Sequence, residues 1–82
     1  METIMSNAIN TAAIATLRNV ADVVEIDHVR GLVALDELCT RFGAFLRITD
    51  APLTDPRCAT KEGTYWVISD LMLRIRMNGT QV

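Results

Sequence analysis

Apolar residues recur every three or four positions through the first part of the chain, the spacing that places side chains on one face of a helix. We therefore predict a helix over residues 6–24. Arg18 and Asp22 fall away from the apolar face and form an i,i+4 pair of opposite charge, which adds about 0.3 kcal/mol. The predicted apolar face consists of Met5, Ile9, Ala13, Leu17, Val20 and Val24.

The next segment carries a wider apolar face, which suits packing in a helical bundle better than a two-stranded coiled coil. Asp27 can accept hydrogen bonds from the free N–H groups of a first helical turn, so we predict a helix that begins there and ends between Phe42 and Arg47. Gly31 and Gly43 each weaken a helix by about 1 kcal/mol relative to Ala, which leaves a break at either position open. The predicted core and dimer face comprises Leu32, Leu35, Leu38, Phe42, Phe45 and Leu46.

The periodic pattern stops over residues 49–63, where Pro56, Gly63 and several polar residues favour turns. We predict that this segment is the one substantial loop of the chain. A structureless loop of about 15 residues is uncommon in a small domain. A short helical turn that starts at Thr54 or Asp55, with the proline in its first turn, is therefore an alternative within the loop.

Residues 64–77 are compatible with two structures. Read as a helix, they carry one apolar stripe, and the following Asn-Gly pair is a stop signal. Read as strands, they alternate apolar and polar residues and would turn near Ser69 and Asp70. Ser-Asp is a poor two-residue hairpin turn, so we predict the helix, followed by a flexible tail over residues 78–82. The helical stripe consists of Tyr65, Ile68, Met72 and Ile75.

The length and composition of the chain set its architecture. A chain of 82 residues forms one domain and buries only about 60–65% of the surface that it exposes when unfolded. Half of the residues are hydrophobic, which is more than so small a core covers easily. We therefore predict a single all-α domain over residues 1–82, with two long helices and a shorter C-terminal helix, that forms a homodimer through the first two helices. In the alternative fold a β-hairpin replaces the third helix.

The charges of the chain argue against a nucleic-acid partner. The formal net charge is −2, so the basic excess typical of nucleic-acid-binding proteins is missing overall. Acidic residues dominate residues 20–37, whereas residues 57–77 are mildly basic. No run of about 18 apolar residues and no secretory signal pattern is present, so we expect a cytoplasmic protein that does not bind membranes.

No residues show the spacing of a catalytic, cofactor-binding or metal-binding site. His28 is the sole histidine, and we expect an exposed ring. Cys39 lies in the apolar stripe of the second helix, so we expect it in the core. Cys58 follows Arg57 in the loop, where nearby cations would stabilise a reactive thiolate. Because only one histidine is present to serve as a base for it, we predict a chain that is not an enzyme and needs no cofactor or metal.

These observations favour a non-catalytic protein–protein interaction module, a small regulator, adaptor or inhibitor that binds a larger protein. Aromatic, methionine and arginine side chains are enriched at contact surfaces and occur together in the last third of the chain. The predicted partner-binding residues are Tyr65, Trp66, Met72, Arg74 and Arg76. The alternative is a small dimeric nucleic-acid-binding transcriptional regulator that uses the basic C-terminal third.

Overall fold

The fold is helical throughout the part of the chain that the structure describes. The computed structural model describes residues 2–46 and 54–80, and the side chains of residues 8–44 and 54–77. Within these residues the chain forms three α-helices and one short 3-10 helix. They are α1 (Glu2–Ile26), α2 (His28–Leu46), the 3-10 helix (Pro56–Ala59) and α3 (Lys61–Thr80).

The all-α prediction is therefore confirmed, and the β-hairpin alternative is wrong because residues 64–77 lie inside α3. Helix α3 was expected to be the shortest helix, but its 20 residues make it one residue longer than α2, which has 19. It also continues through the Asn78-Gly79 pair that was expected to stop it, so residues 78–80 belong to the helix rather than to a tail. Residues 81–82 lie outside the described residues.

A single residue, Asp27, separates α1 from α2. Its backbone N–H donates to the carbonyl oxygen of Val23 at 2.7 Å, and its own carbonyl accepts from the N–H of Gly31 at 2.9 Å. The carboxylate oxygen Oδ1 of Asp27 also accepts from the backbone N–H of Arg30 at 3.2 Å, as an N-cap residue does. One residue therefore ends the first helix and caps the second, as the sequence predicts for the start of α2.

Helices α1 and α2 approach each other closely at Gly31. A Cβ atom at this position would lie 2.2 Å from Cγ2 and 2.8 Å from Cα of Val24, so only glycine fits there without a shift of the helices. The two helices then run antiparallel, with a groove between them that Thr16 and Val23 of α1 line on one side and Ala34 and Phe42 of α2 on the other. Gly31 is thus a packing residue, and it does not interrupt α2.

Helix α3 begins beside the end of α1. The Nζ atom of Lys61 donates to the carbonyl oxygen of Glu25 at 3.0 Å. The molecule is 39 Å long, and the 25 residues of α1 alone span about 37 Å, so α3 runs back along α1 rather than away from it. Both α2 and α3 therefore lie antiparallel to α1.

The core is a stripe along α1 that both other helices cover. Helix α1 contacts α2 and α3 extensively, whereas α2 and α3 contact each other much less. The buried apolar side chains are Ala13, Leu17, Val20 and Val24 of α1, Leu35 and Leu38 of α2, Cys58 of the 3-10 helix, and Val67, Ile68, Leu71 and Ile75 of α3. Helix α1 is thus the central element of the packing.

The 3-10 helix lies within the segment that was predicted to be a loop. Asp55 caps it: the carboxylate oxygen Oδ1 accepts from the backbone N–H of Arg57 at 2.9 Å, and Pro56 occupies the first turn. The helical turn considered as an alternative is present, and α3 already begins at Lys61. The first part of the predicted loop, residues 49–53, lies outside the described residues.

Candidate functional site

Helix α3 has apolar side chains on two opposite sides. One side contains the buried residues and faces α1, whereas the opposite side is exposed to solvent. Since successive helical residues are 100° apart, Trp66, Leu73 and Met77 lie within about 40° of one another and roughly 180° from the centre of the buried side. Trp66 is 70% exposed, Leu73 54% and Met77 53%. We call this surface, together with the exposed residues Glu62, Ser69 and Arg76 beside it, the outer face of α3.

The polar residues of the outer face form an ordered row. Glu62, Ser69 and Arg76 follow one another at intervals of seven residues, so they lie along one flank of the apolar side chains. A shallow pocket opens among Tyr65, Trp66 and Ser69. The outer face therefore combines a large exposed aromatic ring, a pocket beside it, and charges of opposite sign at its two ends.

A second exposed apolar group lies where α1 passes into α2. It consists of Ile26, Val29 and Val33, which are 87%, 70% and 54% exposed. We call this group the junction patch. Two of its three members are valines, and it contains no aromatic ring or methionine.

Two of the five predicted partner-binding residues are not freely exposed to solvent. Tyr65 and Met72 are half-buried and pack against the core. The phenolic O–H of Tyr65 donates to the carboxylate oxygen Oε2 of Glu25, and this bond, with burial next, raises the pKa of Tyr65 to about 12. This hydrogen bond thus joins the start of α3 to the end of α1. Trp66 is the predicted residue that is most fully available for contact.

The two predicted arginines are exposed but point in different directions. Arg74 and Arg76 are two residues apart on a helix, so their side chains lie about 160° apart. Arg74 forms an i,i+4 ion pair with Asp70, and 3.4 Å separates Nη2 of Arg74 from Oδ2 of Asp70. Arg57 pairs with Asp55 at 2.7 Å, and this contact lowers the pKa of the Asp55 carboxyl. Arg57 also lies 3.9 Å from Oδ2 of Asp70, so Arg57 and Arg74 meet at this carboxylate, whereas Arg76 lies on the opposite flank of α3.

The predicted core and dimer face of α2 is largely occupied within the chain. Leu35 and Leu38 are buried, and Leu32 and Phe42 are half-buried against the core. The side chains of the remaining two members, Phe45 and Leu46, lie outside the described residues.

The sequence suggested an exposed ring for His28, but the ring is partly buried in the structure. Its Nε2 atom lies 2.8 Å from Oγ1 of the buried Thr64. The same hydroxyl lies 2.8 Å from the carbonyl oxygen of Thr60. A hydroxyl has one proton, and a carbonyl can only accept, so the Thr64 O–H donates to Thr60 and accepts from Nε2–H of His28. His28 is therefore not placed to remove the Thr64 proton, and the pair joins α2 to α3 instead of forming a base and nucleophile.

Cys58 is not the reactive thiol that its sequence neighbours suggested. It is buried in the core, and burial, followed by the negative charge of Asp55, raises the pKa of its thiol. These two effects outweigh the neighbouring Arg57, which acts in the opposite direction. Burial, then the charge of Asp36, likewise raises the pKa of Cys39, which is half-buried beside the core. Both thiols are accordingly kept in the unreactive protonated form.

Within residues 2–46 and 54–80, no three His, Cys, Asp or Glu side chains are grouped in a way that could hold a metal ion. None of the helices in these residues combines the length and apolar character needed to cross a lipid bilayer. No protein-family model, curated protein or solved structure matches the chain.

Sequence reasoning missed several residues of the outer face. Leu73, Ser69 and Glu62 were not among the predicted contact residues, although the spacing of Leu73 from Trp66 contains the signal. Positions 66, 73 and 77 are separated by seven and four residues, which is a second helical stripe beside the one that was identified. The junction patch also went unpredicted, since exposed valines within an apolar segment resemble core residues in a sequence.

Proposed function

We propose that the chain is a non-catalytic protein–protein interaction module, and that the outer face of α3 is the surface with which it binds another protein. The exposure of Trp66, Leu73 and Met77 on the side of α3 that faces away from the core supports this proposal most directly. Three large apolar side chains in one row remain in water after the chain has folded. Grouped exposure of this kind is typical of contact surfaces.

The residue types support the same function. Tryptophan is among the side chains that contribute most to binding when a partner covers them, and methionine and arginine are enriched at contact surfaces. A polar flank with charges, such as Glu62 and Arg76, provides the solvated rim that usually surrounds an apolar contact. The outer face therefore has the composition of a small protein-binding surface, suited to a regulator, adaptor or inhibitor.

The nucleic-acid-binding alternative has less support. It requires several cations on one surface, because phosphate contacts supply most of the affinity. Arg74 and Arg76 lie on opposite flanks of α3, and carboxylates lie within 4 Å of the Arg57 and Arg74 guanidinium groups. Two arginines that share the carboxylate of Asp70, with a third on the opposite flank of α3, are a poor match for a phosphate backbone.

A site-specific photo-crosslinker tests the proposed function. We would replace Trp66 with benzoylphenylalanine, which keeps a large aromatic side chain, and place the same group at the exposed Thr40 of α2 as the matched control. After irradiation of cells that contain the protein, we expect covalent adducts with protein at position 66 and few at position 40. Equal adduct yields at the two positions would count against the proposal.

A further inference from the structure

We propose that the partner bound by the outer face of α3 is the same face of a second copy of this chain, packed antiparallel about a two-fold axis near Ser69. This inference rests on the proposed function, because it names the occupant of the proposed contact surface. The pattern of charges along α3 and the pocket beside Trp66 support it.

The charged row becomes self-complementary under this symmetry. Glu62 and Arg76 lie seven residues before and after Ser69, on the same flank of the helix. In an antiparallel pair with its axis at Ser69, Glu62 of each copy lies opposite Arg76 of the other. These two residues are 14 positions apart, or about 21 Å along one helix, so they cannot pair within a single chain.

The position of Leu73 also fits this arrangement. With the axis at Ser69, Leu73 of one copy lies opposite positions 65 and 66 of the other. That is where the shallow pocket among Tyr65, Trp66 and Ser69 opens. Leu73 of each copy therefore enters the pocket of its partner and covers the exposed ring of Trp66. The small side chain of Ser69 at the centre allows the two helices to approach closely.

A parallel pair of α3 helices does not fit the charges. Parallel pairing about a two-fold axis would place Glu62 against Glu62 and Arg76 against Arg76, and like charges repel. The junction patch of Ile26, Val29 and Val33 contains no aromatic side chain for a second copy to cover. The antiparallel α3 pair is thus the arrangement that the described surface favours.

The predicted dimer is weak. The contact from Glu62 to Met77 is about 22 Å long and one helix wide, which places it among small, transient interfaces. We expect a dissociation constant on the order of tens of micromolar. Sedimentation equilibrium from about 5 to about 500 µM brackets this value. The emission of Trp66, the sole tryptophan, should shift to shorter wavelength as the concentration rises.

Leu73→Glu and Val33→Glu form a matched pair for this experiment, since both parent side chains are 54% exposed and both lie on helices. Because each substitution occurs twice in a symmetric dimer, we expect Leu73→Glu to weaken dimerisation by about 100-fold or more. Val33→Glu should dimerise like the parent chain. Loss of the dimer in Val33→Glu with retention in Leu73→Glu would overturn the inference, as would a parent chain that stays monomeric throughout.

A charge exchange tests the antiparallel register. Glu62→Arg alone places like charges opposite each other twice, and we expect roughly a 10-fold weaker dimer, as should Arg76→Glu alone. The double variant restores the opposite-charge pairs and should return to within about 2-fold of the parent. Since Glu62 and Arg76 cannot meet within one chain, a rescue in the double variant would report a contact between two copies. Additive losses in the double variant would rule out this register.

A new cysteine provides an independent check. In the proposed dimer Ser69 faces its own counterpart, so Ser69→Cys should form an intermolecular disulfide under mild oxidation. Thr40→Cys, exposed on the outer side of α2, is the matched control and should not. If Thr40→Cys forms the disulfide as readily as Ser69→Cys, the inference is overturned.

The inference and the proposed function can fail separately. Crosslinks at position 66 that always have the mass of two copies support the inference and the outer face as a protein-contact surface, but they count against a different protein as its partner there. Crosslinks to a different protein, together with a parent chain that remains monomeric, leave the proposed function standing and overturn the second copy as the occupant. Equal crosslinking at positions 66 and 40 counts against the proposed function itself.

Discussion

Thr64 joins three parts of the molecule through one hydroxyl group. It is fully buried, its O–H donates to the carbonyl of Thr60, and it accepts from Nε2 of His28. The carbonyl oxygen of Cys58 lies 3.4 Å away. Valine has nearly the same shape but no hydroxyl, so Thr64→Val would leave the imidazole N–H of His28 without this acceptor.

We expect Thr64→Val to lower the free energy of unfolding by about 1–2 kcal/mol, because a partly buried donor loses its acceptor. Thr64→Ser keeps the hydroxyl and serves as the control, with a smaller loss that reflects only the missing methyl group. Urea denaturation of the three proteins measures the difference. Equal stability of the valine variant and the parent would show that the bond to His28 contributes nothing.

Tyr65 gives a prediction in alkaline solution. Its hydrogen bond to Glu25 requires the protonated phenol, and its pKa rises from 10 to about 12 in the folded state. A raised folded-state pKa contributes stability that is fully present below pH 10 and disappears as the pH rises through about 12. Because this is the sole tyrosine, its ultraviolet absorbance titrates without overlap from other phenols, and we expect a midpoint near 12.

Glu25→Ala provides the control for this titration. It removes the hydrogen-bond acceptor, which is the largest cause of the shift, together with the carboxylate charge, so the midpoint should fall toward the ordinary value of 10. A midpoint near 10 in the parent protein would indicate that the phenol does not hold this bond in solution.

At the scale of a helix, a substitution at Gly31 tests how closely α1 and α2 pack. In an exposed helix, Gly→Ala raises stability by about 1 kcal/mol. Here the added methyl group would meet the backbone of Val24 as well as its side chain, so the helices must move apart. We expect Gly31→Ala to destabilise the protein by about 1–2 kcal/mol net in thermal or urea denaturation.

Thr40→Ala, at an exposed position of the same helix, separates helix propensity from packing. It should leave stability equal or slightly higher, since alanine is the better helix former. If Gly31→Ala were to stabilise the protein by as much as an exposed substitution, the tight contact with Val24 would be refuted.

Local periodicity was sufficient to predict α1 and α2, but α3 was ambiguous for a reason that the structure makes clear. Leu73, Ile75 and Met77 alternate with polar residues, which is also the pattern of a strand. In the helix these residues serve two surfaces: Ile75 is buried, whereas Leu73 and Met77 are exposed on the opposite side. A helix with two apolar sides gives a weak periodic signal, so the sequence alone could not decide the element.

The contacts between elements were beyond sequence reasoning. His28 and Thr64 are 36 residues apart, and Glu25 and Tyr65 are 40 residues apart. Nothing in the local spacing of either pair indicates that they meet. Trp66 was identified as a contact residue because of its type, but the surface around it became visible only once the helices were placed on α1.

At the scale of the whole molecule, the proposed dimer links stability to concentration. Because only the folded chain associates, dimerisation stabilises the folded state by mass action. A 100-fold rise in concentration above the dissociation constant adds roughly 1.4 kcal/mol per chain, which raises the Tm of a domain of this size by about 5 °C or more. We expect this rise in calorimetric scans of the parent protein and a Tm independent of concentration in Leu73→Glu. A constant Tm in both proteins would argue against coupled association.

The central place of α1 has a consequence for how the chain is made. The buried stripe of α1 is covered by both α2 and α3, yet α3, which begins at Lys61, is synthesised after the other two helices. When α1 and α2 already exist and α3 does not, the side of α1 that α3 will cover remains open to water and to other chains, as in the partly folded intermediates of larger proteins. The chain must therefore be synthesised through α3 before it can protect its own core, and a message cut short before residue 61 encodes a two-helix product with that core exposed.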